Sequence, residues 1–133
     1  MTLEELQQQA EKDLKMDDLE LGDESLKSAS LHQKYLTIYN TFRQLVLMNE
    51  GTYRVLYRKK WEYYGGKSDA KVYVAKPFDL KVLKNDLAMY ITSDEEVIAL
   101  ADNIGYLETV IKYLEGVIKS IDNQSNLTNE ILF

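Results

Sequence analysis

The sequence predicts an all-α fold: a helical bundle with a long central helix and a C-terminal heptad-patterned oligomerisation helix. Three observations carry this. Apolar residues recur at three- and four-residue spacing through most of the chain, the period of one helix face. The breakers Gly65-Gly66 and Pro77 cluster between two such stretches. The one segment with strand character, Lys71-Val-Tyr-Val74, has no clear pairing partner and reads as part of a loop over 65–78. At 133 residues the chain is one helical domain, large enough for a modest core.

A first helix opens at Thr2. Thr2-Leu-Glu-Glu5 is a capping box, in which the hydroxyl accepts from a free amide and Glu5 reaches back. Leu3, Leu6, Ala10 and Leu14 carry its period to about Met16. Asp17-Asp18-Leu-Glu-Leu-Gly22 reads as a solvated linker, without the alternating acids of a calcium loop. Asp23 or Ser25 is placed to cap a second helix running to Tyr64. Its stripe is Leu26, Ala29, Tyr35, Leu36, Ile38, Tyr39, Phe42, Leu45, Val46 and Leu47, a broad face suited to bundle packing. Gly51 is its weak point, at roughly 1 kcal/mol relative to alanine. Gly65-Gly66 ends it as a left-handed cap. After Pro77, helical spacing resumes over Asp79 to Ile91 through Leu80, Leu83, Leu87 and Tyr90.

Thr92 or Ser93 then caps the last long helix, with Asp94, Glu95 and Glu96 in its first turn. Val97, Ile104, Ile111 and Ile118 fall at heptad a positions, and Leu100, Leu107, Leu114 and Ile121 at d. That alternation is the spacing of a helix–helix seam, between protomers or inside one bundle. Ala101, Val110 and Val117 widen the stripe, which suits more than one neighbour and an oligomer larger than a dimer. Leu127, Ile131, Leu132 and Phe133 form an apolar tail able to dock on the bundle or on a partner.

The most unusual stretch is Tyr53 to Lys67, YRVLYRKKWEYYGGK. On a helix, Tyr53, Leu56, Tyr57, Trp61 and Tyr64 share one face, with Arg54 and Arg58 one turn apart beside it. Lys60 falls inside the aromatic arc, where a core-facing helix would carry an apolar residue. Cations interleaved with rings suit single-stranded nucleic acid, charges on phosphates and rings under bases. The alternative is a core helix whose Lys60 snorkels to solvent. Phosphate contacts would come from Arg54, Arg58, Lys59, Lys60 and Lys67, joined by Lys71 and Lys76 of the following loop. Tyr57, Trp61 and Tyr63 are the stacking candidates.

Net charge is −6, against nucleic-acid binding if averaged over the chain. The distribution is segregated. Residues 1–24 carry nine acids and two lysines, 25–84 four acids and twelve Lys or Arg, and 85–133 nine acids and two lysines. A +8 island between two −7 ends can set up a local field for phosphates.

The same residues exclude other classes. There is no cysteine for disulfides or thiolates. The lone His32 has no second imidazole for a metal and no nucleophile–acid set, so no catalytic or metal residues and no cofactor are expected. The glycine pair lacks the preceding strand of a phosphate loop. No run approaches the ~18 apolar residues of a membrane span, and the acidic start has no signal core. A soluble, cytoplasmic protein is expected, with the sequons at Asn123 and Asn126 arising by chance.

The chain resembles the recombination mediator proteins of T4-like bacteriophages, the UvsY family. The likeness runs from an LEELQ-type start through HQKYL, WEYYGGKSD and TSDEEV to LEGVIKSI. It implies a non-enzymatic factor that binds single-stranded DNA and forms oligomeric rings through its C-terminal region. It also implies loading of a RecA-like phage recombinase onto strands coated by single-stranded-DNA-binding protein, in the infected bacterial host. The family's basic pair falls on Arg58 and Lys60. On this reading residues 1–92 form a helical DNA-binding region, with basic-aromatic helix 53–64 and basic loop 65–78, and 93–133 form an oligomerisation helix and tail. A structural or adaptor helical oligomer with no nucleic-acid role is the alternative.

Overall fold

A computed structural model describes the backbone of residues 1–15 and 21–132 and the side chains of 1–15 and 27–124. Among the described residues the regular structure is entirely helical. The helices are α1 (Leu3–Asp13), α2 (Leu21–Tyr64), α3 (Ala70–Ala75), α4 (Leu87–Thr92) and α5 (Glu95–Leu132), with a 3-10 turn at Lys84–Asp86. They fall into two compact units, Met1–Gln44 with Leu107–Phe133, and Leu45–Tyr106. The long helices α2 and α5 contribute to both.

In the first unit, α1 begins with the expected capping box. Thr2 Oγ1 accepts from the Glu5 amide at 3.1 Å, and Glu5 Oε2 accepts from the Thr2 amide at 3.3 Å. Its apolar face buries Leu6 and Ala10. The α2 and α5 segments run antiparallel, shown by the pairs His32–Asp122 at 3.6 Å and Tyr39–Glu115 at 3.2 Å. Asp13, at the end of α1, accepts from Lys34 at 2.7 Å and from the buried Tyr35 at 2.8 Å. Tyr35, Phe42, Leu107, Val110, Ile111, Leu114, Val117 and Ile121 are buried here.

Much of the heptad stripe packs inside the chain. Of the eight positions, Val97, Leu107, Ile111, Leu114 and Ile121 are buried within the chain itself, while Leu100, Ile104 and Ile118 are half-buried. Val110 and Val117, off the seam, are buried as deeply. The stripe therefore serves a helix with several neighbours inside one chain. Ala29, Leu45 and Leu47, assigned to the α2 stripe, are exposed instead, because the buried arc is narrower than the run of apolar residues.

The second unit holds the end of α2, the connection to α5, and the start of α5. Its core is Leu87, Ile91 and Val97, with Tyr53, Leu56, Tyr57, Trp61, Tyr64 and Val82 packed against it. The helix α2 runs through Gly51 and ends at Gly65-Gly66 as expected. The Lys67 amide donates to the Glu62 carbonyl at 2.7 Å and the Gly66 amide to that of Tyr63 at 3.2 Å, the paired bonds of a Schellman end. Gly66 has φ +74°, and a Cβ on Gly65 would meet the Trp61 carbonyl oxygen at 2.8 Å.

Several expectations are corrected. The expected loop at 65–78 contains α3, because one helical turn lets Tyr73 stack on Tyr63 (ring centroids 5.5 Å apart, planes 16°) and donate to the Tyr63 carbonyl at 2.8 Å. The expected helix over Asp79 to Ile91 begins only at Lys84. Residues 77–83 are irregular, with Val82 turned inward and Leu80 and Leu83 exposed, so the leucine spacing is not a buried stripe. Thr92 and Ser93 do not cap α5. Their hydroxyls donate back to the Ala88 and Met89 carbonyls at 2.7 Å each. Asp94 is the cap, Oδ1 accepting from the Glu96 and Val97 amides at 2.9 and 3.4 Å. The helix α2 starts at Leu21, inside the expected linker and ahead of the expected caps. Met16, Asp17 to Glu20 and Phe133, and the side chains of Asp23, Ser25, Leu26, Leu127, Ile131 and Leu132, lie outside the described residues.

Alanine at Gly66 forces a side chain into the left-handed region and should cost about 1–2 kcal/mol. Urea unfolding checks this; an unchanged midpoint would show that this end does not need its left-handed residue.

Candidate nucleic-acid interface

Lys60 takes neither course expected of it from sequence. It does not snorkel, and it does not lie free beside the rings. Its Nζ sits 3.2 Å from Asp94 Oδ2 and 3.1 Å from Glu96 Oε1, and 5.8 Å from the centre of the Tyr63 ring. The Lys60 side chain is 11% exposed and Asp94 4%, whereas Glu96 is 63% exposed. Asp94 Oδ2 also accepts from the Tyr64 hydroxyl at 2.6 Å. One carboxylate thus caps α5, neutralises Lys60 and holds a tyrosine from the last turn of α2.

The electrostatics follow from that sharing. Burial alone would raise the Asp94 carboxyl, but the hydrogen bonds from Tyr64 and Lys60, and the charge of Lys60, outweigh it and hold it below the usual carboxylate value. Burial alone would lower Lys60, but its bonds to Glu96 and Asp94 outweigh that and raise it. Burial and the bond to Asp94 together push the Tyr64 hydroxyl well up. Removing one partner of such a pair strands a buried charge, typically at about 3–5 kcal/mol.

Around this pair the cations point outward. Arg54, Arg58, Lys59, Lys67, Lys71 and Lys76 are all exposed. Arg58 has only a loose 3.9 Å contact to Glu62 one turn on, the kind of surface pair that contributes little. Lys59, Lys60, Lys67 and Lys76 meet along a groove of about 510 Å³ between the end of α2, α3 and the start of α5. Leu56, Tyr63 and Val72 supply its apolar surface, and Glu62, Asp69 and Glu96 its carboxylates. Arg54, Arg58 and Lys71 lie outside the groove.

The rings point inward. Tyr57 and Trp61 are half-buried against Leu87, Ile91 and Val97. Tyr63 is 7% exposed, its hydroxyl donating to the Lys76 carbonyl at 3.0 Å. Tyr63, Tyr64, Tyr73, Phe78 and Tyr90 form a contiguous cluster of stacked, tilted and edge-on pairs, with neighbouring centroids 5.0–6.2 Å apart. The Lys67 ammonium lies 4.3 Å from the centre of the Trp61 ring.

Sequence reasoning placed Lys59, Lys60 and Lys67 in one region, and the structure brings them to one groove. It missed Asp94 and Glu96 as partners of Lys60, since a pairing across 34 or 36 positions leaves no local trace. The one available signal was Lys60 itself, a cation where the helix face calls for an apolar residue. Among the described residues no His/Asp/Glu group is arranged to hold a metal, and no helix is long and apolar enough to cross a membrane.

Stability should track these groups. With its native pKa depressed, Asp94 contributes above its unfolded value near 3.9, and that contribution is lost as pH falls through the native value. With theirs raised, Lys60 and Tyr64 contribute below their unfolded values, and this is lost as pH rises through the native ones. Asp13 adds to the acid limb: burial would raise it, but bonds from Lys34 and Tyr35 lower it overall. Asp94→Asn should lower stability at neutral pH and make the acid limb of a urea-midpoint profile shallower. An acid limb as steep as the parent's would contradict the assignment.

Comparison with known proteins agrees with this architecture. Residues 9–131 match the family model described as "Recombination, repair and ssDNA binding protein UvsY". The recombination protein uvsY of Enterobacteria phage T4 is 21% identical over 124 residues, covering 93% of this chain and 88% of its own. Crystal structures of the bacteriophage T4 recombination mediator protein UvsY superpose with TM-scores of 0.88 and 0.85 in two lattices, at 21% and 19% identity. They cover 99% and 96% of this chain and 93% and 94% of theirs, and at that identity they establish the fold. The match over nearly the whole length settles the family: this chain belongs to the UvsY family of recombination, repair and single-stranded-DNA-binding proteins.

Proposed function

We propose that the chain holds single-stranded DNA on the cationic surface at the end of α2. We further propose that, as an assembly of several copies, it loads a RecA-like phage recombinase onto strands coated by single-stranded-DNA-binding protein, in the cytoplasm of the infected bacterial host. The observation that carries the DNA site is the outward array of Arg54, Arg58, Lys59, Lys67 and Lys71 beside a groove lined by Lys59, Lys60, Lys67 and Lys76. Lys60, neutralised by Asp94 and Glu96, forms part of the groove wall, and the freer cations meet the phosphates. The family description supports single-stranded DNA as the ligand, and the array supports this surface as the one that meets it.

A few cations per protomer give a weak, salt-sensitive contact. Repeating the site around an oligomer makes later contacts intramolecular and can raise apparent affinity by ~10²–10⁴. In this proposal the DNA contacts lie within residues 1–92 and the assembly contacts within 93–133. The half-buried Leu100, Ile104 and Ile118 retain apolar surface on α5 for a neighbour. A strand held across several protomers is bent away from its coat, which opens a stretch for recombinase nucleation. The acidic ends repel DNA and keep it on the basic surface.

Arg58→Ala combined with Lys59→Ala removes two exposed cations without touching the buried pair. Titration of a labelled oligonucleotide across a salt series should show weaker binding and a log–log slope smaller by about 1.4, at about 0.7 per lost phosphate contact. An unchanged slope would remove these residues from the site. No binding by the parent protein even at low salt would favour an adaptor without a nucleic-acid role.

A further inference from the structure

Single-strand sites usually combine a cationic track with exposed rings on which bases stack. Between residues 53 and 90 this structure separates the two. Every Lys and Arg except Lys60 is exposed, while none of the eight aromatic rings is. The rings are also occupied. Tyr63 lies against Tyr73, Phe78 and the edge of Tyr64. Tyr64 meets Phe78 and Tyr90, and Tyr53 and Tyr57 lean on one another at 6.1 Å. Trp61 packs against the core, with the Lys67 ammonium over its ring. Seating a base on them means opening the aromatic cluster, parting Tyr53 and Tyr57 from each other or from the core, or lifting Lys67 off Trp61.

From this separation we infer that the strand is held through its phosphates alone, with the bases turned away from the protein and left open to another molecule. The inference rests on the DNA site proposed above and specifies what that site recognises: a flexible phosphodiester chain, whatever its bases. Two consequences follow from the chemistry. Binding is indifferent to sequence, because phosphates carry none. The base edges of a bound strand also stay available for pairing or for a second protein, the state a strand needs when it is handed on for a homology search.

The test compares a thymidine oligonucleotide with an abasic strand of the same length, its sugars carrying hydrogen in place of the base. Both are titrated into the full chain across a salt series. Phosphate-only holding predicts affinities within about threefold of each other and equal salt slopes. Even one base–ring stack would separate the two strands by roughly 5- to 150-fold. Trp61 is the only tryptophan, so its emission reports directly on the ring beneath the Lys67 ammonium; it should respond equally to both strands. Weaker binding of the abasic strand by more than about threefold, or quenching of Trp61 by the natural strand alone, overturns the inference and leaves the site standing. Failure of both strands to bind at low salt overturns the site, and this inference with it.

Discussion

The contact between Lys60 and Asp94 is the constraint on which the second unit depends. An ammonium inside an aromatic face would be destabilising by several kcal/mol if left alone. Asp94 removes that cost and does two more things with the same carboxylate, capping α5 and accepting from Tyr64. The last turn of α2 and the first turn of α5 are therefore fixed to each other by directional bonds as well as by apolar packing. That restriction sets which face of α2 turns inward. With Lys60 drawn toward α5, Tyr57, Trp61 and Tyr64 face the core, and Arg54, Arg58 and Lys59 face solvent.

The connecting segment completes the arrangement. The Gly65-Gly66 end reverses the chain, α3 brings Tyr73 back over Tyr63, and Phe78 and Tyr90 close the cluster. Lysines 67 and 76, carried on this return, face Lys59 and Lys60 across the groove. The basic island in the sequence is in this way folded into a basic surface, although the chain as a whole is anionic. Each aromatic pair adds about 0.5–1.5 kcal/mol beyond its buried area, which favours keeping the rings together over offering them to a ligand.

What the sequence made legible was local. The capping box at Thr2, the two long periodic helices and the glycine end at 65–66 each depend on residues within a few positions. Contacts distant along the chain were not legible. The turn α3 forms because Tyr73 finds Tyr63, and Asp94 rather than Thr92 or Ser93 caps α5 because it also meets Lys60 and Tyr64. Leu80 and Leu83 had helical spacing, yet the chain after Pro77 turns Val82 inward instead. The apolar spacing along α5 is compatible with a packing stripe, but spacing cannot distinguish a partner chain from α1 and α2 of the same one. For the candidate site, the cations were readable as a cluster. The rings were readable only as rings, since whether a tyrosine serves core or ligand is decided by neighbours ten to thirty residues away.

A double-mutant cycle on Lys60→Met and Asp94→Asn, followed by urea unfolding at neutral pH, measures the central contact most directly. The methionine keeps the apolar stem of Lys60, and asparagine keeps an oxygen to cap α5, so the cycle isolates the charge pair. The account predicts that each single change is strongly destabilising, that the double variant recovers part of the loss, and that the coupling is about 1–3 kcal/mol. Additive losses, with coupling inside the roughly 0.3–0.5 kcal/mol expected of independent sites, would contradict it.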